Sequence, residues 1–306
     1  MEVTNLTGLE KPLQKLVETI SEGVGVVGNH LFEFDVAKIK RVGKAQAEAE
    51  KEKIIASAEA QEKAVEVLSR AKKRFALEQY NKQINLENIL VKSKEDLAGK
   101  EVSTDPVDKD WTMRFLSIAQ NVGREEVQNV LAKILSGEVQ SPGSFSYQTL
   151  EIIKNLTKNQ LETFLRFLGI STDLGVIKLY RNGKESLEKY GLNFGDYMNL
   201  ASIGLFNQSS TLSHNIDLEP QDKLAMTIGN QPIFIENQTE SKRIFNLGIY
   251  AFSNAGIELR TVLLEKANIT HRESFMKDLT IETEKNGLKL NVVGVVTERT
   301  RDAQSS

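Results

Sequence analysis

The 306-residue chain contains no cysteine. That excludes disulfides, thiolate chemistry and cysteine-based zinc sites. Its three histidines, His30, His214 and His271, stand far apart without metal-ligand spacing. No catalytic residue, cofactor-binding residue or metal ligand is therefore expected. An excess of one charge is missing too. With 39 Lys and Arg against 42 Asp and Glu, the net charge of -3 offers no global attraction to nucleic acid or anionic lipid. Any such binding has to come from a local patch. The longest uncharged stretch of the first third, residues 23–32, is about half the length of a membrane span. Met1-Glu2-Val3 opens no signal peptide, so the expected location is the cytoplasm. What remains, 40% hydrophobic and 26% charged residues, is the composition of a folded globular protein. The length suits roughly two domains.

What is present begins with helix. Between Leu9 and Leu90 the only proline is Pro12, and Ala, Glu, Lys and Gln dominate after Val42, which predicts a long helical arm over residues 1–100. Ile54, Ala58, Gln61, Val65, Leu68, Lys72 and Phe75 follow alternating spacings of four and three. That is the seam of a coiled coil, made shallow by Ala58, Gln61 and Lys72, and it predicts assembly into a homo-oligomer. Gly23, Gly25 and Gly28 match the glycine pattern of a dinucleotide-binding turn. Leu13, Leu16, Val17 and Ile20 precede them at helical spacing, however, so the required strand is missing. The glycines read instead as a bend or a close helix approach. Next, Leu31, Phe32, Phe34, Val36 and Ile39 alternate with Lys38, Lys40, Arg41 and Lys44. Apolar and basic faces side by side suit a membrane surface or a protein partner. Glu33 and Asp35 argue against lipid, and a helix covering a core has the same pattern.

A compact helical domain is expected over residues 101–170. Asp residues between 105 and 110 can cap a helix beginning near Trp111. A second helix from about Arg124 carries Val127, Val130, Leu131, Ile134 and Leu135 on one stripe, with Gly137 as its stop. Ser141-Pro142-Gly143-Ser144 is a tight loop. Tyr147, Leu150, Ile153 and Leu156 define a third helix, and Thr157-Lys158-Asn159-Gln160 has the capping-box form of a fourth.

Asn88-Ile89-Leu90, Pro106-Val107-Asp108, Asp110-Trp111, Gln128, Ile134-Leu135-Ser136-Gly137-Glu138 and Pro142-Gly143-Ser144-Phe145-Ser146 together carry a resemblance. The chain resembles an uncharacterised bacterial family known only as domain of unknown function number twenty-eight hundred and six. The likeness covers about the first 170 residues and is most specific over 105–165. It departs at Val130, where the family often has an aromatic. Trp111, Gln128, Gly137, Glu138, Pro142, Gly143 and Ser146 form the signature. The N-terminal segment is more loosely similar to the start of bacterial abortive-infection proteins, which implies a role in antiviral defence. Neither resemblance supplies a catalytic residue. The signature loop lacks the G-x-S-x-G nucleophile arrangement, and serine hydroxyls that cap helices explain its polar residues.

Beyond Gly169 the periodicity changes. Residues 176–180 suggest a strand and residues 183–190 a short helix. A helix over Phe194, Tyr197, Met198, Leu200 and Ala201 stops at Gly204. Leu224, Met226 and Ile228 lead through Gly229-Asn230 to Ile233-Phe234-Ile235 as a hairpin. A strand over 245–250 enters a helix through Leu264, and a helix from Glu273 to Lys285 feeds a last strand. This α+β part, residues 171–297, resembles a winged-helix module, and residues 298–306 form a polar tail. The helix placed for recognition carries Asp196 and no Lys or Arg, so specific nucleic acid is not expected. The fold class is thus mostly α with a C-terminal α+β part. The functional expectation is a non-enzymatic, oligomerising interaction protein of antiviral defence, without cofactor, at most peripheral to the inner membrane. The alternatives are a winged-helix DNA-binding regulator and, behind it, a hydrolase whose site the sequence does not reveal.

Overall fold

Leu13, Leu16, Val17 and Ile20 recur at helical spacing, and in the computed structural model they lie on α1 (Lys11–Val24), with Leu16, Val17 and Ile20 buried. The structure describes residues 11–24, 66–181, 184–185, 187–209 and 212–293. The chain divides between Asn155 and Leu156 into two compact units, the first helical and the second a mixture of helices and small sheets.

In the first unit, α1 packs on α3 (Lys109–Ala119) and also meets α2 (Glu66–Leu97) and α4 (Glu125–Gln140). The arm expected over residues 1–100 therefore contributes α1 and the far end of α2 to a core. The α4 stripe, Val127, Val130, Leu131, Ile134 and Leu135, is buried throughout. The opposite face of α4 is buried as well, against α2, through small polar residues. Ser93 Oγ donates to the Ala132 carbonyl at 3.2 Å, and Ser136 Oγ donates to the Ser93 carbonyl at 3.1 Å. Each hydroxyl also bonds the carbonyl four residues back in its own helix, so Ser93 and Ser136 are both paired where the two helices approach closely. Beyond α4 the chain turns through Ser141–Ser146 into α5 (Tyr147–Asn155), which packs on α3.

Gly137 does not stop α4, contrary to the expectation. The helix continues to Gln140. A Cβ at Gly137 would lie 2.7 Å from the Phe145 ring, so glycine is there to admit that ring.

The second unit starts at α6 (Lys158–Gly169), whose capping box forms in both directions: Gln160 N–H to Thr157 Oγ1 and Thr157 N–H to Gln160 Oε1. A three-stranded antiparallel sheet of β1 (Gly175–Ile177), β7 (Arg243–Ala251) and β4 (Ser213–Leu218) has β7 in the middle. A second antiparallel sheet has the order β5 (Lys223–Ile228), β6 (Gln231–Glu236), β8 (Lys289–Val292). The two-residue turn Gly229-Asn230 joins β5 and β6, with Gly229 at φ +59, as a hairpin of this loop length requires. The expected helix over 183–190 is not formed. A two-stranded ribbon, β2 (Tyr180–Arg181) with β3 (Lys184–Glu185), precedes a single 3-10 turn at Leu187–Tyr190. Helices α7 (Phe194–Ser202), α8 (Asn254–Leu263) and α9 (Arg272–Lys285) complete the unit. Its core contains an aromatic cluster. Phe164 and Phe167 of α6, Tyr197 of α7, Phe206, Tyr250 and Phe252 contact one another with ring centroids 4.3–6.2 Å apart. Leucine and isoleucine side chains such as Leu168, Leu200, Ile235 and Leu259 fill the rest of the core.

Candidate functional site

All the signature residues except Gln128 converge on the turn between α4 and α5. Glu138, in the last turn of α4, is 1% exposed. Its Oε1 accepts the Gly143 N–H at 2.6 Å and its Oε2 accepts the Phe145 N–H at 3.0 Å. A carboxylate accepting two backbone N–H groups makes charge-assisted bonds, about twice as strong as neutral ones. Gly143, at φ +87, lets the loop turn so that both donors face the same side chain. Trp111, from the first turn of α3, donates its indole N–H to the Phe145 carbonyl at 2.7 Å and stacks on Phe115. Ser144 Oγ donates to the Ser141 carbonyl. Ser146 Oγ accepts the Thr149 N–H at 3.3 Å, capping α5.

Asp108 closes the same cluster from the start of α3. Its Oδ1 accepts the Trp111 N–H at 2.7 Å and the Tyr147 hydroxyl at 2.8 Å. The Trp111 N–H above all, and then the Tyr147 hydroxyl, hold the Asp108 carboxyl below its ordinary value. The same carboxylate raises the Tyr147 phenol. The Arg114 guanidinium lies 4.6 Å over the Tyr147 ring. Asp108 and Tyr147 were not singled out as a pair by the sequence. The spacing of 39 residues hides a contact that only the α3–α5 packing creates.

Gln128 lies apart from this cluster. Its amide donates to the Val122 carbonyl at 2.8 Å and to Asn85 Oδ1 at 3.3 Å, and Asn85 in turn donates to the Gln120 carbonyl. It thereby ties α2 to the turn before α4. Pro142 sits in the loop itself. Chemically, the donors and acceptors of the loop that point inward are used to hold the loop, and no polar pair is left aimed at a common reacting atom among them.

The other sites expected from the sequence lie elsewhere. Ile54, Ala58, Gln61 and Val65, with Leu31, Phe32, Phe34, Lys38, Ile39, Lys40, Arg41 and Lys44, are outside the described residues, as is the side chain of Leu68. Phe75 lies on α2 and is 63% exposed. In the second unit an open groove of about 470 Å³ is lined by Lys178, Tyr180, Ser213, Asn246, Gly248 and Glu282 among others. The Lys178 ammonium stands 4.5 Å over the Tyr250 ring. Among the described residues no group of three or more His, Asp or Glu side chains is placed to hold a metal ion, and no helix is long and apolar enough to cross a membrane.

A family model described as Protein of unknown function (DUF2806) matches residues 69–279. The chain belongs to that family. The match runs through both units, well beyond the first 170 residues that the sequence likeness covered. Neither the curated proteins nor the solved structures give a match.

Proposed function

We propose that this family member is an oligomerising interaction protein that carries no catalytic chemistry of its own. In this reading it acts in the cytoplasm. The segment before α2, with the start of α2, is its assembly arm, and residues 23–44 meet a protein partner or the inner membrane surface. The second unit serves as the sensing or regulatory part. A role in bacterial defence against phage belongs to the proposal through the N-terminal likeness to abortive-infection proteins alone, an argument by analogy. The observation that carries the reading is the bonding of the signature loop: Glu138, Trp111, Ser146 and Asp108 spend polar atoms on backbone groups, on the Thr149 hydroxyl and on one tyrosine. Phe75 adds to it, since a phenylalanine 63% exposed on a helix is available to a second surface.

The second reading, a winged-helix DNA-binding regulator, is favoured by the hairpin β5–β6 downstream of α7. Two observations weigh against it. The hairpin takes β8 as its third strand while β1 pairs with β7, and α7 carries Asp196 but neither Lys nor Arg where phosphate contacts would be needed.

Light scattering of the full chain, and of Phe75→Glu, tests the assembly reading. Removing the first 100 residues would not, because α1 and the far end of α2 carry core residues such as Leu16, Ile20, Ile89 and Leu97. The expected result is an oligomer that Phe75→Glu weakens while the urea midpoint stays unchanged. A wild-type chain that is monomeric at every concentration would overturn the reading.

A further inference from the structure

We infer that β4 is a pairing edge through which two copies of this chain join strand to strand. Among the described strands β4 occupies the outer position of its sheet, and it pairs with β7 over all six residues, from Ser213↔Gly248 to Leu218↔Arg243, without a bulge. The Leu212 carbonyl accepts the Ile249 N–H. This fixes the alternation. Residues 212, 214, 216 and 218 turn their backbone groups to β7, and Ser213, Asn215 and Asp217 turn theirs away. All three are exposed.

Sheet edges in native proteins are blunted by lysine, proline, bulges, brevity or a cover, because an open row of N–H and C=O groups accepts another strand. The other edges of the second unit follow that rule. β1 is three residues long and buried throughout. β5 begins at Lys223, and near its end Thr227 Oγ1 bonds Asp173 and Arg260. β8 begins at Lys289. β4 has no lysine, no proline and no bulge, and its one acidic residue, Asp217, is paired with Lys242 at 2.7 Å.

The occupant that fits is a second β4. Antiparallel pairing about a two-fold axis at Asn215 sets Asn215 opposite its own counterpart and Ser213 opposite Asp217, a hydroxyl facing a carboxylate it can bond. His214 then faces Ile216. No like charges meet, which would weaken such a pair. The two-fold arrangement also consumes the edge on both copies and closes the assembly. This inference rests on the self-association part of the proposed function and names a surface for it that is separate from Phe75.

The absence of native cysteine allows a clean test in the full chain. Directly opposed Cα atoms of this register stand about 5.5 Å apart, within disulfide reach. Asn215→Cys should therefore give a covalent dimer on mild oxidation. Asn246→Cys, one strand inward and paired with Asn215, should not, its two copies being about three strand spacings, ~14 Å, apart. Asn215→Pro removes an N–H that β7 does not use, so the fold should persist by circular dichroism while the dimer dissociation constant rises about tenfold or more. An oligomer that neither crosslinks through Asn215→Cys nor responds to Asn215→Pro overturns this inference and leaves self-association standing. A chain monomeric throughout overturns both.

Discussion

The loop Ser141–Ser146 and the strand β4 are six-residue polar segments put to opposite uses. In the loop, backbone and side-chain groups turn inward, onto Glu138, Trp111 and the first turn of α5. In β4 the side chains are mostly exposed and every second residue presents its backbone away from β7. The loop is the more distinctive in sequence, with its Pro-Gly pair and its conspicuous serines, whereas Ser-His-Asn-Ile-Asp-Leu matches no motif. The lesson is that distinctive residues mark what the backbone demands locally. The surface proposed above for a partner strand lies instead where ordinary residues turn backbone groups away from β7.

The strongest way to break this contrast is at Glu138. Glu138→Ala leaves the buried Phe145 N–H and the half-buried Gly143 N–H without their acceptor, a loss of about 2–3 kcal/mol. Urea unfolding of the full chain should show it, with Glu138→Gln intermediate. A variant as stable as the wild type would mean that water replaces the carboxylate freely. Next in size is Gly137→Ala. The new methyl would stand 2.7 Å from the Phe145 ring. Overpacking of about 1–3 kcal/mol should outweigh the roughly 1 kcal/mol that alanine gains in a helix, so the urea midpoint falls. A rise would mean that the Phe145 ring gives way to the methyl and that glycine is not required there.

Asp108 sharpens the comparison through pH. Its folded pKa is lowered, first by the Trp111 N–H and then by the Tyr147 hydroxyl. Its contribution is therefore present above the unfolded value of about 3.9 and is lost as pH falls through the folded value. The stability advantage of wild type over Asp108→Ala should be constant from pH 7 to about 5 and shrink at lower pH. An advantage independent of pH down to the acid limit would remove the carboxylate from the account. Smallest of all, Asn215→Pro in β4 should change stability by less than about 0.5 kcal/mol, as expected at an exposed position without internal bonds.

The legible parts of the fold share a physical feature: their determinants are local. The α4 stripe repeats every three or four residues and is buried as such. The capping box at Thr157 and Gln160 needs only residues three apart. The hairpin at Gly229 needs only a two-residue turn between alternating strands. What stayed hidden depends on partners distant in the chain. The Ser93–Ser136 seam between α2 and α4 has no hydrophobic period, because its contacts are hydroxyls and backbone. The pairing of β1 with β7 joins Gly175 to Ala251, and nothing in a three-residue strand announces so remote a neighbour. Gly137 shows the same limit in reverse. A glycine near the end of an apolar stripe has the local look of a stop, yet a ring eight residues on requires it. In the site, the Ser146 cap of α5 is local, and the Asp108–Tyr147 bond across two helices is not.

The central claim is that the signature loop is held from within by Glu138. Native-state hydrogen exchange at the Gly143 and Phe145 amides measures this most directly. The account predicts that both amides exchange slowly, close to the rate set by global unfolding of the first unit, and that Glu138→Gln releases at least one of them. Fast exchange at both amides in the wild-type chain would contradict it, and would return those donors to the list of groups free to meet a ligand.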